Sequence, residues 1–213
     1  MIARDKYLNQ LIKAKNNGFP KIITGIRRCG KSYLLKEIYK EYLLSNGVLE
    51  EDILIIELDD DKNIDLLNPL RLGAFVREWS KNKKSCYVFL DEIQRVYRII
   101  NPNLTDGKIV LSKNNDENTI SFVEVVLGLS RENNIDLYVT GSNSKMLSIE
   151  VATEFRDKAT EIQMRPLSFK EYYDYIGGSR NDALVEYMMH GGMPLAVLLP
   201  KEEKEVYLKK LFE

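Results

Sequence analysis

The sequence predicts an α/β protein: a three-layer sandwich of helices around a parallel five-stranded sheet, followed by a small helical lid. Short apolar segments alternate with helix-period segments through residue 165. The segment Cys86-Tyr-Val-Phe-Leu90 is apolar without alternation, the pattern of a strand covered on both faces. Beyond Pro166 only helical periodicity remains. The expected division is a core over residues 1–165 and a lid over 166–213, where a further region would begin.

Each element has its own signal. Tyr7, Leu8, Leu11 and Ile12 mark one face of an opening helix. Lys21-Ile-Ile-Thr24 is a brief strand that ends at Gly25. Leu34, Leu35, Ile38 and Tyr42 place a helix over 31–45. Ile53 to Leu58 is the second strand. Asn68-Pro69 reads as an N-cap with proline in the first turn, opening a helix through Trp79. The strand at 86–90 follows and ends on Asp91. Residues 97–100 and 108–111 suggest a hairpin around Asp106-Gly107, with 112–119 as a polar loop. Ser121 and Glu124 form a capping-box pattern for a helix running to about Asn133. Residues 135–140 and 160–164 are the fourth and fifth strands. Ser168 and Glu171 repeat the capping-box pattern, helices follow near 169–176 and 181–190, and Gly191-Gly-Met-Pro194 interrupts them. A last helix occupies 201–213.

Composition narrows the class. Of 213 residues, 44% are hydrophobic and 30% charged, and the formal net charge is -1. That excludes binding nucleic acid by bulk positive charge, although a local basic face remains open. Residues 1–49 carry ten Lys/Arg against three Asp/Glu, whereas 50–70 carry eight acids and one base. Two solvated faces, or positive charge gathered around an anion, both fit this segregation. Two cysteines build no disulfide framework and suit a reducing cytoplasm. There is no signal-peptide pattern and no apolar run long enough for a membrane helix.

The chemistry begins at Gly25-Ile26-Arg27-Arg28-Cys29-Gly30-Lys31-Ser32, which matches G-x-x-x-x-G-K-[ST]. A chance match in a chain of this composition is about one in 200, and the motif also stands between a strand and a helix, as its physics requires. Glycines let successive N–H groups converge on a phosphate, and the helix dipole adds positive potential. This is the signature of a P-loop NTPase. Lys31, read as an exposed cation, would reach the β and γ phosphates, and the Ser32 hydroxyl would ligate Mg²⁺. Tyr33 completes the nucleotide-binding candidates. Arg27 and Arg28 could touch phosphate or nucleic acid, or simply be solvated. Cys29 lies where a helix N-terminus favours a thiolate, although a small residue fitting the turn explains it as well.

A second site follows. An apolar strand ending on Asp91-Glu92 would present Asp91 to Mg²⁺ and leave Glu92 to polarise an attacking water. No N-K-x-D or T-K-x-D guanine reader occurs. The Asp-Glu pair favours hydrolysis over transfer to a substrate hydroxyl. Thr140-Gly-Ser142-Asn143 ends the fourth strand. Ser142 or Asn143 there could sense the γ-phosphate or merely cap the next turn.

These motifs, with Leu90-Asp-Glu-Ile-Gln94, Arg165-Pro-Leu-Ser-Phe-Lys-Glu171 and Gly191-Gly-Met-Pro194 in that order, resemble the prokaryotic AAA+-like ATPases. The resemblance covers nearly all of the chain except 97–119. It implies ATP and Mg²⁺ as ligands, a possible homo-oligomer, and a C-terminal domain of uncertain activity beyond the helix at 201–213. It also implies that Arg156 reaches a neighbouring subunit's γ-phosphate, although Asp157-Lys158 stands where relatives often carry Gly-Arg. The function implied is Mg²⁺-dependent ATP hydrolysis. A nucleotide-gated switch with negligible turnover, acting on an unknown protein partner, is the alternative, and a DNA-associated module using the basic N-terminal face is a third reading.

Overall fold

The structure is a computed structural model that describes residues 2–113, 118–142 and 153–212. Its main sheet runs β2 (Ile53–Glu57), β3 (Cys86–Asp91), β6 (Ile135–Thr140), β1 (Lys21–Thr24) and β7 (Thr160–Gln163), in that spatial order. Every pairing is parallel. The five strands are those the sequence predicts, in the predicted architecture.

Alternate residues of one strand feed the two faces. Val88 and Leu90 of β3 pack with Leu72 and Val76 of α3 (Pro69–Ser80) and with Phe122 and Val126 of α4 (Phe122–Leu129). Tyr87 and Phe89 pack on the other side with Tyr7 and Leu11 of α1 (Asp5–Ala14) and with Leu34, Leu35 and Ile38. That is why β3 is apolar from Cys86 to Leu90, and all six of its residues, the terminal Asp91 included, are buried. Each fully buried Leu, Ile or Phe contributes about 1.5–3 kcal/mol.

The helix expected over 31–45 is present as three continuous pieces, Lys31–Tyr33, Leu34–Tyr39 and Lys40–Ser45, together α2. Its middle piece is wound as a π-helix, a local widening that sequence period does not announce. Asn68 caps α3 as predicted, its Oδ1 accepting from the Leu70 and Arg71 N–H groups at 3.0 and 3.4 Å. The Ser121–Glu124 capping box forms, but α4 ends at Leu129, short of Asn133. The residues beyond are needed to enter β6: the Asn134 side chain donates to Ser80 and Lys83 carbonyls, and the Asn134 carbonyl accepts from Cys86 N–H.

Residues 97–113 and 118–120 form a side structure. The expected hairpin contacts occur, with Ile100 N–H donating to Val110 at 2.8 Å and Ser112 N–H to Arg98 at 2.9 Å. A further strand was not expected: β4 (Ile99–Ile100) pairs antiparallel with β5 (Thr119–Ile120), and Thr119 is buried rather than part of a polar loop. A two-residue strand is too short to carry a period.

The C-terminal helices are α5 (Phe169–Ile176), α6 (Arg180–His190), α7 (Pro194–Leu198) and α8 (Lys201–Phe212). Leu167, Tyr172, Ala183 and Val197 form a small core of their own, joined by Ile2 from the start of the chain. Pro194 both ends the break after α6 and opens α7 at its first turn. Gly192 has no room for a side chain, since a Cβ would stand 2.0 Å from the Leu167 carbonyl oxygen. Arg4, buried, ties this unit to the sheet layer by donating to the Arg165 carbonyl and pairing with Glu171 at 3.4 Å.

Among the described residues, one ion pair lies wholly inside. Lys21 of β1 meets Asp136 of β6, and Asp136 also accepts from Tyr138 Oη at 2.7 Å and Asn16 N–H at 3.0 Å. Burial pulls the Lys21 ammonium below its ordinary value although Asp136 opposes it.

Candidate nucleotide site

The register Ile23↔Thr140 and Leu90↔Val139 brings the C-terminal tips of β1, β6 and β3 level. Gly25–Ser32 leaves the tip of β1 and turns into α2. The turn relies on backbone that L residues rarely adopt: φ is +146° at Gly25, +99° at Gly30 and +65° at Arg28. At Gly25 a Cβ would also stand 2.2 Å from the Met164 carbonyl oxygen.

Lys31 is only 4% exposed, contrary to the sequence expectation of an exposed cation. Its Nζ donates to the Gly25 and Ile26 carbonyls, both at 2.9 Å, so the loop folds around its own lysine. Ile26, Arg27, Arg28 and Tyr33 are exposed along the loop and first turn. Cys29 is buried, with Sγ 3.8 Å from the Met164 carbonyl oxygen. Burial pushes its thiol up, against the pull of Lys31 and Arg4. Of the two readings of Cys29, the small residue that fits the turn agrees with this burial; the helix terminus does not outweigh desolvation.

The Ser32 hydroxyl donates to Asp91 Oδ1 at 2.8 Å. Thr140 Oγ1 donates to the same oxygen and accepts from Glu92 N–H at 3.2 Å. One hydroxyl at the tip of the central strand thereby fixes both acids. Lys36, one turn along α2 from Ser32, lies 3.5 Å from Asp91 Oδ2 and 2.5 Å from Glu57 Oε2. Glu57 is the register partner of Asp91 across β2 and β3. Burial alone would lower the Lys36 pKa, yet Glu57 and Asp91 together hold it above its ordinary value.

Glu92 has φ 56° and ψ 48°, the left-handed region, unusual for a residue with a side chain. Its Oε2 accepts from Ser142 Oγ at 2.7 Å and from Gln94 Nε2, which also donates to Ser142 Oγ at 3.2 Å. Ser32, Asp91, Glu92 and Ser142 therefore form one connected cluster beside the loop that encloses Lys31. Asn143 lies outside the described residues. Arg156 is exposed and takes no part in the contacts that join the loop to the two acids; its neighbour Phe155 stacks on Phe122 with centroids 6.4 Å apart.

Four residues that brace this cluster, Thr140, Gln94, Lys36 and Glu57, are not among the sequence candidates. Thr140 stands just before the two polar residues that draw attention at the end of β6. Gln94 and Lys36 carry only positional signals, two residues after Glu92 and four after Ser32. Glu57 is linked to Asp91 only by strand register, which a sequence does not display.

Beside the loop an apolar cleft of about 320 Å³ is lined by Ile2, Tyr33, Met164, Leu195 and Leu198, next to Cys29 and Gly30. A larger cavity, about 980 Å³, lies between the start of α1 and α5 and holds none of the candidate catalytic or phosphate-loop residues. Among the described residues no three His, Cys, Asp or Glu side chains gather as a self-sufficient metal site, and no helix is long and apolar enough to cross a membrane.

A parallel sheet with a phosphate loop at the tip of β1 and an acid at the tip of β3, separated by β6, defines a P-loop NTPase fold. The comparisons agree. A family described as "AAA domain" matches residues 17–173, and the chain belongs to it. An uncharacterized protein of Haemophilus influenzae is 32% identical over 227 residues, covering 100% of this chain and 49% of its own length. The chain spans about half the length or less of the curated relatives it matches. Among solved structures, the Walker-type ATPase PABY2304 of Pyrococcus abyssi superposes with a TM-score of 0.54 at 15% identity, over 92% of this chain and 65% of that one. AMPPCP-bound DnaA from Aquifex aeolicus gives 0.54 at 13% identity, over 97% and 59%. At these identities the two structures speak for the fold.

Proposed function

We propose that this domain binds ATP with Mg²⁺ and hydrolyses it. The observation that carries the reading is the 2.8 Å contact between Ser32 Oγ and Asp91 Oδ1, beside a loop that already encloses a lysine. The oxygen-only donor set of Ser32 and Asp91 fits Mg²⁺, which takes few protein ligands and relies on phosphate oxygens for the rest. Bound there, the ion would neutralise phosphate charge and polarise the γ-phosphoryl group.

The chain's own residues divide the remaining work. The N–H groups of 25–32 cradle the phosphates. Lys31 exchanges two loop carbonyls for phosphate oxygens, a stronger, charge-assisted pairing. Glu92 accepts the proton of the attacking water once one of its hydrogen bonds, to Ser142 or Gln94, is released. The base occupies the apolar cleft between Tyr33 and α7, which supports the helical unit as a lid over the nucleotide. ATP is favoured within this reading because a structural neighbour is described as bound to AMPPCP.

Two variants test the assignment. Lys31→Ala should lose nucleotide affinity, followed with a fluorescent ATP analogue; unchanged affinity would overturn the loop's role. Glu92→Gln should keep affinity and lose about 100-fold or more in hydrolysis. Turnover at the wild-type rate would place the base elsewhere.

A further inference from the structure

Lys36 belongs to no phosphate-loop motif, yet it stands at the candidate metal site. Its ammonium is anchored by Glu57 at 2.5 Å and reaches Asp91 Oδ2 at 3.5 Å, while Ser32 holds Asp91 Oδ1 at 2.8 Å. Strand register forces the problem that it solves. Glu57 and Asp91 are parallel cross-strand partners at the ends of β2 and β3, so two carboxylates stand side by side. Like charges at such positions repel. Asp91 is buried, which strengthens the effect by weakening solvent screening.

We infer that Lys36 is a resident counter-cation that keeps divalent metal from settling on Asp91 until nucleotide phosphates arrive. The inference rests on the metal-binding reading of Ser32 and Asp91 and extends it to the order of binding. With Lys36 in place, the two carboxylates are partly neutralised, and an incoming dication meets a fixed positive charge. A nucleoside triphosphate brings enough negative charge to outweigh that ammonium, so metal and nucleotide enter together. Without Lys36, Asp91, Glu57 and the Ser32 hydroxyl would present two uncompensated charges and three oxygen donors. Lys36 is a positioning residue here: it touches Asp91, not the reacting phosphate.

The test reads metal binding without turnover. Free Mn²⁺ is titrated by electron paramagnetic resonance against wild type, Lys36→Met and Lys36→Arg in the absence of nucleotide, with urea unfolding to verify that each is folded. Lys36→Met should bind Mn²⁺ about tenfold more tightly than wild type, and Lys36→Arg should resemble wild type. Adding Glu57→Gln to Lys36→Met should weaken the new binding again. Lys36→Gln serves in place of Lys36→Met if that variant does not fold. Folded Lys36→Met or Lys36→Gln that binds Mn²⁺ no better than wild type would overturn the inference. Wild-type protein that binds a fluorescent ATP analogue equally with and without metal would instead overturn the site reading, and the inference with it.

Discussion

Replacing Thr140 with valine isolates the hydroxyl that joins the two acids. Valine keeps the branched shape on a fully buried strand tip and removes only the oxygen. Two interactions go with it: the bond donated to Asp91 and the bond accepted from Glu92 N–H. A hydrogen bond to a charged group contributes about 1.5–3 kcal/mol, and a buried amide left unpaired costs about 1–3 kcal/mol. Part of the second cost returns, because Glu92 is freed from a left-handed conformation that itself costs about 1–3 kcal/mol. The expected loss is therefore about 2–3 kcal/mol of stability. Urea unfolding of a domain this size, with a slope near 3 kcal/mol per molar, should show a midpoint lower by about 1 M. Hydrolysis should fall by more than nucleotide affinity, since Glu92 loses its orientation while the phosphate loop keeps its own. A Thr140→Val protein with the wild-type midpoint and wild-type turnover would refute the reasoning at both levels.

Two further substitutions probe the frame. Lys21→Met should lower stability by about 3–5 kcal/mol, because Asp136 would remain buried without its cation; a calorimetric or urea midpoint unchanged from wild type would contradict this. Gly25→Ala should abolish binding of a fluorescent nucleotide, since the new methyl meets the Met164 carbonyl at 2.2 Å and φ of +146° disfavours any side chain.

The sequence displayed the parts of this fold that local chemistry determines. The β3 segment announced burial on both faces through its unbroken apolar run, and the phosphate loop announced itself by glycines at fixed spacing. Asn68, Ser121 and Ser168 cap helices as their side chains imply. What stayed hidden depends on pairing between distant segments. Glu57 gains its meaning only from lying beside Asp91. Glu57 and Glu50 pair with Lys36 and Lys40 of α2, which turns part of an apparent segregation of charge into complementary faces of neighbouring elements. Burial of Lys31 likewise follows from the loop closing around it, and no residue count reveals that. The pair Lys21 and Asp136 looked like ordinary strand ends because their contact joins strands 115 residues apart.

The excursion at 99–120 leaves the main body and returns to the same place, because Ile99 and Ile120 are direct antiparallel partners and Asn101 N–H donates to the Asn118 carbonyl at 2.8 Å. A detour whose two ends meet is inexpensive to resize: each doubling of such a loop costs only about 0.6 kcal/mol of closure entropy. Over evolutionary time this is where residues can be added, trimmed or exchanged without moving a strand tip. For a protein engineer, the same closed pair of ends is a natural port for grafting a reporter or a recognition element, with Asp91 upstream and Thr140 downstream left on strands that the graft does not bend.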